Sequence, residues 1–320
     1  MTRRLGALVI VSAALVGCPR RETPSGATSA TPSAIPAPVA SGVPIDPKAL
    51  SDAVNPDGKP AYSGPVGEVE GRIVAKGDAP IEQPEIAQQI PEKCKSARPF
   101  YAKVFREGEG RALADVLVAV TGYHEYIPAR EPAKRFVAKD CAFDTRTIAL
   151  TIGQRLEVVS GDKEAYIPEL VGERSPQAQI VANPGGEVAS MLYPTHAGRF
   201  VLIDNLRLFM TAEVLVLKYA TVAVTGIDGR YKISGLPPGE LRLSAMLPAT
   251  GAAVERPIKI EAGRTTPLDL ELPFDAKAYK KAALAQRADA GPGDAGPSAD
   301  AGPVSSAGSK TKAPKPAVKR

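Results

Sequence analysis

The chain has 320 residues, with 31 prolines, 29 glycines, three cysteines, two histidines and no tryptophan. This length allows about two ordinary domains. Two histidines exclude a metal site built from three imidazoles and leave little room for histidine-based acid–base catalysis. The formal net charge is +5, but residues 65–287 carry 29 Lys and Arg against 28 Asp and Glu, so the excess lies in the two ends. A near-neutral middle without a basic groove predicts no nucleic-acid partner.

The N-terminus has the pattern of an export signal. A basic start precedes an apolar run over residues 5–16, which is too short for a membrane-spanning helix. The run ends in Leu15-Val16-Gly17-Cys18, which resembles the lipobox of bacterial lipoproteins. The resemblance implies that a signal peptide over 1–17 is removed and that Cys18 is acylated, so that several acyl chains hold the protein on a membrane. Pro19 favours the outer membrane, facing the periplasm or the cell surface, and an ordinary secretory signal is the alternative.

Export changes the interpretation of the two remaining cysteines, Cys94 and Cys141. In an oxidising compartment, pairing is the default for two cysteines. Neither lies in a Cys-x-x-Cys pair or close to a histidine, which disfavours a redox or metal role. We therefore predict a structural disulfide between Cys94 and Cys141.

Composition predicts that both ends of the chain lack a packed core. Residues 18–64 are rich in Pro, Ala, Ser, Gly and Thr, which predicts a linker. Residues 289–320 contain Asp-Ala-Gly-Pro three times and a lysine-rich close, which predicts a low-complexity tail, either solvated or touching anionic surfaces. Between the core and this tail, residues 274–288 have the pattern of a short surface helix.

The middle of the chain is a series of short apolar segments separated by turn residues. The predicted strands are Val66–Val74, Ala114–Val120, Thr147–Ile152, Arg155–Ser160, Glu187–Leu192, Arg199–Ile203 and Thr211–Lys218. Short strands at this spacing, without intervening helical periods, predict an all-β sandwich or barrel. The proline-broken stretch Gln83–Ser96 is compatible with a short helix.

One resemblance covers residues 65–219. Three segments follow one another in a characteristic order: Asp140-Cys141-Ala142-Phe143, the strand around Thr151–Asp162 and the strand around Ala197–Asp204. This order resembles the cupredoxin-like domain of plastocyanin-like and methylamine utilisation protein-like proteins. The resemblance implies a β-sandwich. Copper-binding members of this family have one His just after the strand that corresponds to Thr151–Asp162, and a Cys, a His and a Met together on one later loop. These four ligands suit copper.

This sequence does not keep that ligand set. The corresponding positions hold Tyr166, then Ile203 or Asp204, then Leu206 or Arg207, and finally Met210. Neither register assembles a copper site, so the sequence predicts no cofactor and an apolar filling by Ile203 and Leu206. His124 and His196, with Met191 and Met246, are a further conceivable metal-binding set, which we interpret as scattered surface residues.

A second resemblance covers residues 220–273. The stretch Ala223–Leu243 is similar to the carboxypeptidase regulatory-like domain, a small transthyretin-like sandwich. In this motif Asp228-Gly229 has the pattern of a hairpin turn, and Leu236 is expected to close one end of the sandwich. In peptidases the module accompanies a separate zinc-dependent domain. The chain contains no His-x-x-Glu, so the peptidase activity is not implied.

No motif of a catalytic site stands out. Gly-x-Ser-x-Gly, a Walker loop and a dinucleotide fingerprint are all missing from the sequence. We predict a non-enzymatic, all-β lipoprotein of two β-sandwich units that acts as a binding or structural module for a carbohydrate, peptide or envelope-protein partner. A periplasmic copper-binding or electron-transfer protein of the cupredoxin class is the alternative, and an enzyme with an unrecognised site is a third possibility.

Overall fold

The computed structural model describes residues 40–172, 180–186 and 188–289. The lipobox with Cys18, the first part of the predicted linker and the C-terminal tail lie outside these residues. The strands are β1 (Ala40–Ser41), β2 (Gly67–Gly77), β3 (Leu117–Thr121), β4 (Ala133–Lys139), β5 (Ala142–Phe143), β6 (Thr147–Thr151), β7 (Arg155–Ser160), β8 (Pro168–Val171), β9 (Ser190–Leu192), β10 (Gly198–Asp204), β11 (Arg207–Leu217), β12 (Val222–Val224), β13 (Arg230–Leu236), β14 (Gly239–Leu247), β15 (Ala252–Ile260), β16 (Thr265–Pro267) and β17 (Leu270–Phe274). The helices are α1 (Pro47–Val54), α2 (Pro84–Gln89), α3 (Arg98–Tyr101) and α4 (Ala276–Asp289), with 3-10 turns at Glu92–Ala97 and Glu109–Arg111.

The strands form two sandwiches, which confirms the predicted all-β class. In the first sandwich, the sheet β1-β9-β7-β4-β5 faces the sheet β6-β11-β10-β8. In the second, β12-β3-β14-β15 faces β13-β2-β16, and β17 also pairs with β2. Each sandwich has its own apolar core, with Phe143 and Phe200 in the first and Ile73 and Leu236 in the second.

The chain does not divide between the sandwiches where the sequence predicts. The strands β2 and β3 fall within the predicted cupredoxin-like domain at 65–219, yet β2 pairs with β13 and β3 pairs with β12 and β14. Both therefore belong to the second sandwich. The strands β4 to β11 of the first sandwich lie between β3 and β12, and its strand β1 precedes β2. The burial pattern of a strand predicts how it is covered but not which strand it pairs with, so proximity in sequence misplaced the boundary.

Part of the predicted linker is structured. The Asp46 side chain accepts hydrogen bonds from the Lys48 and Ala49 N–H groups and begins α1. The helix lays Leu50, with Ala53 and its neighbours, against the first core. The prediction of a linker over 18–64 is therefore wrong for this stretch, because a few apolar side chains are enough to attach a two-turn helix to a preformed surface.

The predicted turn at Asp228-Gly229 is present but is not a hairpin. Gly229 has a φ of +72° and its N–H donates to the Gly226 carbonyl. The strands on either side, β12 and β13, lie in opposite sheets. The turn thus carries the chain from one layer to the other. The sequence also missed β4 and β8, whereas Leu236 is fully buried in the second core, as expected.

The two sandwiches meet along one face of the sheet β6-β11-β10-β8. The inner face of this sheet carries Leu202, Ala212 and Val214 into the first core. On the outer face, Ala149 of β6 and Leu215 of β11 pack against Leu117 of β3. This contact covers only the β6 side of the outer face, and the part nearer to β8 borders a cleft.

Candidate functional site

The structure joins Cys94 and Cys141 in the predicted disulfide. Their Cα atoms are 5.5 Å apart, and both residues lie in the first core. The bond ties the 3-10 turn at Glu92–Ala97 to the junction between β4 and β5. The Cys141 N–H in turn donates to the Tyr166 hydroxyl, 3.4 Å away. The disulfide therefore supports the end of the sandwich where the copper-ligand positions of the resemblance fall.

A charged network occupies that end. Asp204, which is fully buried, accepts hydrogen bonds from Arg207 Nη1 at 2.9 Å and from the Ile167 N–H at 2.6 Å. Arg207 Nη2 donates to Glu164 at 2.9 Å, and the guanidinium lies 4.6 Å from the centre of the Tyr166 ring. We call Glu164, Tyr166, Asp204 and Arg207 the Arg207 cluster.

Most polar groups of the Arg207 cluster are satisfied by hydrogen bonds within the protein, which indicates a structural role. The Tyr166 hydroxyl donates to Asp162 at 2.8 Å, and burial and this hydrogen bond raise the pKa of the phenol. Burial opposes the charge of Asp162, but hydrogen bonds from the Asp140 and Glu164 N–H groups and from Tyr166 outweigh it and lower the pKa of the carboxyl. Every carboxylate here already has donors, and a guanidinium occupies the place of a cation.

The predicted apolar filling of this site is wrong. Ile203 lies on the opposite face of its strand from the first core, and Leu206 is 56% exposed in the turn between β10 and β11. Met210 and Tyr166 are the positions of the set that lie in the core. The shifted register, with Asp204 and Arg207, is the one that meets Tyr166. The site holds a buried ion pair where aliphatic packing was expected. The periodicity of the strand does not indicate this difference.

No other metal-binding set is assembled among the described residues. No three His, Cys, Asp or Glu side chains in them are grouped as metal ligands. His124 is exposed after β3, whereas His196 lies 4.9 Å from the Phe200 ring, centre to centre, in the first sandwich. Met246 packs at the contact between the sandwiches, and Met191 lies in β9. The four residues of the second conceivable metal set are thus distributed over both sandwiches.

A cleft of about 450 Å³ lies beside the contact between the sandwiches. Strand pairing places Val171 opposite Val201 and Ile203 opposite Thr211, so these side chains form a floor on the outer face of the sheet. Leu208, which is 57% exposed, stands at its margin. The floor is therefore an apolar sheet face that the second sandwich leaves uncovered.

The walls of the cleft come from several elements. They include Gln83, Ile86 and Gln89 around α2, Tyr101 of α3, Phe105, Leu247 after β14, and Tyr279 of α4. Most of these side chains are apolar or aromatic. A pocket of this size, with mainly apolar walls and few polar groups, is typical of a small-molecule site.

One end of the cleft is polar. Asp115 accepts two hydrogen bonds from Arg106, at 2.7 and 2.6 Å, and also accepts from the Thr145 hydroxyl and from the Arg146 N–H. The Arg146 side chain donates through Nη1 to the Lys103 carbonyl at 2.8 Å. Burial lowers the pKa of Arg146, while the negative charge of Asp115 opposes this shift.

The sequence does not reveal the cleft. Asp115 precedes the apolar strand β3, and Arg146 precedes the apolar strand β6. A charged residue at the start of a buried strand is the one local signal that could have identified them. The floor had no such signal, because Val171 and Val201 become neighbours only through the pairing of β8 with β10.

No protein-family model matches the chain, and no curated protein matches it. Among solved structures, amicyanin from Paracoccus versutus (Thiobacillus versutus) is 14% identical, with 28% of this chain and 84% of that chain covered and a TM-score of 0.22. The reduced state of an amicyanin proline variant is 17% identical, with 31% and 98% covered and a TM-score of 0.23. The likeness is to a β-rich cupredoxin at low coverage. In the residues described, no helix is long and apolar enough to cross a membrane.

Proposed function

We propose that this chain is a lipid-anchored, extracytoplasmic protein that binds a small ligand without transforming it, and that the cleft is its binding site. The observation that carries the proposal is the apolar floor, which is open at Val171 and Val201 and continues to the largely buried Ile203, next to a polar end. Its volume, about 450 Å³, falls within the range of roughly 300–1,000 Å³ of small-molecule pockets. Burying such a surface is favourable, by about 25 cal/mol per Å² of apolar area.

The cleft is built from rigid elements. Its floor comes from the paired strands β8, β10 and β11, and its walls come from both sandwiches. A site on strands needs little reorganisation to accept a ligand, which favours binding. Of the partner classes that the sequence leaves open, a carbohydrate would find few polar groups on this floor, and a protein would meet a concave site. We therefore favour a small molecule with an apolar surface.

The side chains around the cleft support binding without catalysis. Among the described residues that line it there is no His, Cys or Ser. The Asp115 carboxylate is engaged by Arg106, and Glu213 is paired with Arg199 at 2.8 Å. A general base needs a free acceptor within reach of the substrate, and these two carboxylates already have cationic partners. The third carboxylate of the lining, Glu85, belongs to α2 and is exposed to solvent.

The anchor is supported by the sequence pattern that ends at Cys18. The apolar run of residues 5–16 and the small Gly17 before the cysteine favour lipid attachment and export. The disulfide between Cys94 and Cys141 fits an oxidising compartment. An envelope location would expose the cleft to ligands outside the cytoplasm.

The test uses N-phenyl-1-naphthylamine, a neutral apolar dye whose fluorescence rises when it leaves water. The protein is the full chain with Cys18→Ser, so that no detergent competes for the dye. We expect saturable binding of one dye per chain. Val201→Trp, which fills the floor, should weaken binding at least about tenfold, whereas Ile227→Trp, at a 53% exposed position outside the cleft, should leave it unchanged.

Leu208→Trp provides a second blocking variant at an exposed margin, where the larger side chain is tolerated without repacking. Circular dichroism checks that each variant folds. Dye binding that does not saturate, or that both blocking variants leave intact, would contradict the proposal.

A further inference from the structure

We infer that the ligand of the cleft carries a carboxylate on a compact apolar body, and that Arg146 binds this carboxylate. The inference rests on the proposed function and deepens it, because it specifies the chemistry of the ligand. It is carried by the unoccupied donors of Arg146 and by an imbalance of charge at the polar end of the cleft.

The Arg146 guanidinium is held from one side only. Nη1 donates to the Lys103 carbonyl at 2.8 Å and lies 3.4 Å from the Phe100 carbonyl. Nε and Nη2 donate to no acceptor in the described residues, and neither atom is sealed from solvent. These two nitrogens form one edge of the guanidinium and present two parallel N–H groups. Such an edge matches the two oxygens of a carboxylate.

The charges around Arg146 do not cancel. Two guanidinium groups, those of Arg106 and Arg146, stand near one carboxylate, that of Asp115. Arg106 holds both oxygens of this carboxylate, and Thr145 also donates to it. No carboxylate of the described residues lies within 4.0 Å of the Arg146 side-chain nitrogens. Arg146 therefore carries a positive charge that a ligand anion would neutralise.

Partial burial strengthens the attraction of Arg146 for an anion. Arg146 is half-buried and lines the cleft, and desolvation already lowers its pKa. A charge in such a place attracts an anion more strongly than one in open water, because the surroundings screen it less. The carbonyls of Phe100 and Lys103 also keep the guanidinium in place, so that little side-chain entropy is lost on binding.

The floor supplies the second half of the recognition. Val201 and the largely buried Ile203 offer an apolar surface, and the cleft has room for about two fused rings or a short branched chain. An anion without an apolar body would gain only the contact with Arg146. A neutral apolar molecule would gain only the floor, and would leave the guanidinium without a partner.

The experiment compares isosteric ligands by displacement of N-phenyl-1-naphthylamine from the full chain with Cys18→Ser. The probes are 2-naphthoate, its neutral amide 2-naphthamide, and 2-naphthalenesulfonate. We expect 2-naphthoate to bind at least about tenfold more tightly than the amide, as charge-assisted hydrogen bonds predict. Arg146→Gln should reduce the ratio of the two affinities to about one, and Arg146→Lys should give an intermediate ratio.

The matched control is Arg155→Gln, which removes an arginine paired with Glu157 outside the cleft and should leave the ratio unchanged. A merely structural effect of Arg146 would weaken both ligands and the dye equally, so the ratio separates recognition from stability. Saturable dye binding with equal affinities for naphthoate and its amide would overturn this inference and leave the proposed function standing. Tighter binding of the sulfonate than of the carboxylate would overturn the choice of carboxylate. If the parent protein shows no saturable dye binding, both proposals are overturned.

Discussion

Replacing Arg207 by methionine should destabilise the first sandwich strongly. Asp204 is fully buried, and the Arg207 side chain that pairs with it at 2.9 Å is only 7% exposed. The substitution leaves a carboxylate in the core without its cation, which typically costs about 3–5 kcal/mol of unfolding free energy. The second partner of Arg207, Glu164, is 53% exposed, so its release to water adds little.

The double variant Asp204→Asn with Arg207→Met should recover most of this loss. The asparagine amide would keep an oxygen for the Ile167 N–H, and the methionine removes Arg207 Nε, which is buried without a hydrogen-bond partner. An apolar replacement of a buried pair is often close to neutral. The remaining cost should be about 1–2 kcal/mol, mainly because Arg207 also packs on Tyr166.

Equilibrium denaturation in urea, followed by circular dichroism with the disulfide intact, measures these differences. Lys48→Met is the matched control, because it breaks an ion pair whose side chains are 83% and 65% exposed and should leave the midpoint unchanged. A cost of less than about 1 kcal/mol for Arg207→Met, or a double variant as unstable as the single one, would contradict a buried ion pair between Asp204 and Arg207.

Three further predictions concern the anchor, the disulfide and copper. Cys18→Ser should abolish incorporation of labelled palmitate in the producing cell, and label in the mutant would contradict the lipobox interpretation. Cys94 and Cys141 should react with maleimide only after reduction, and reduction should cost about 4 kcal/mol for a loop of 47 residues; free thiol in the native protein would contradict the pairing. Added Cu(II) should not raise the unfolding temperature, and a rise that disappears when His124 or His196 is changed would favour the copper-binding alternative.

The fold class was predictable because several strands have a clear apolar pattern. Arg155–Ser160 was placed with its observed bounds, and Ala114–Val120 has the continuous burial expected of a covered strand. The strand β4 was missed, because the run from Ala133 to Lys139 contains three basic residues and only a short apolar centre. Local pattern thus identifies buried strands better than half-exposed ones.

Features that depend on which strands pair were not predictable. The assignment of β2 and β3 to the second sandwich rests on hydrogen bonds to strands more than 100 residues further along the chain. The Arg207 cluster was predictable in part. The sequence offered Asp204 and Arg207 as an alternative alignment of the copper-ligand positions, but it did not indicate that they would form a buried ion pair. The cleft requires two sandwiches in contact, and a single sequence carries no direct record of that contact.

The most direct test of the account is a crystal structure of the protein saturated with 2-naphthoate. We expect a single bound molecule, with its ring on Val201 and Ile203 and its carboxylate oxygens within hydrogen-bond distance of Nε and Nη2 of Arg146. An empty cleft at a ligand concentration that saturates binding in solution would contradict the proposed site. A ring on the floor with its carboxylate turned away from Arg146 would retain the site and contradict the proposed recognition.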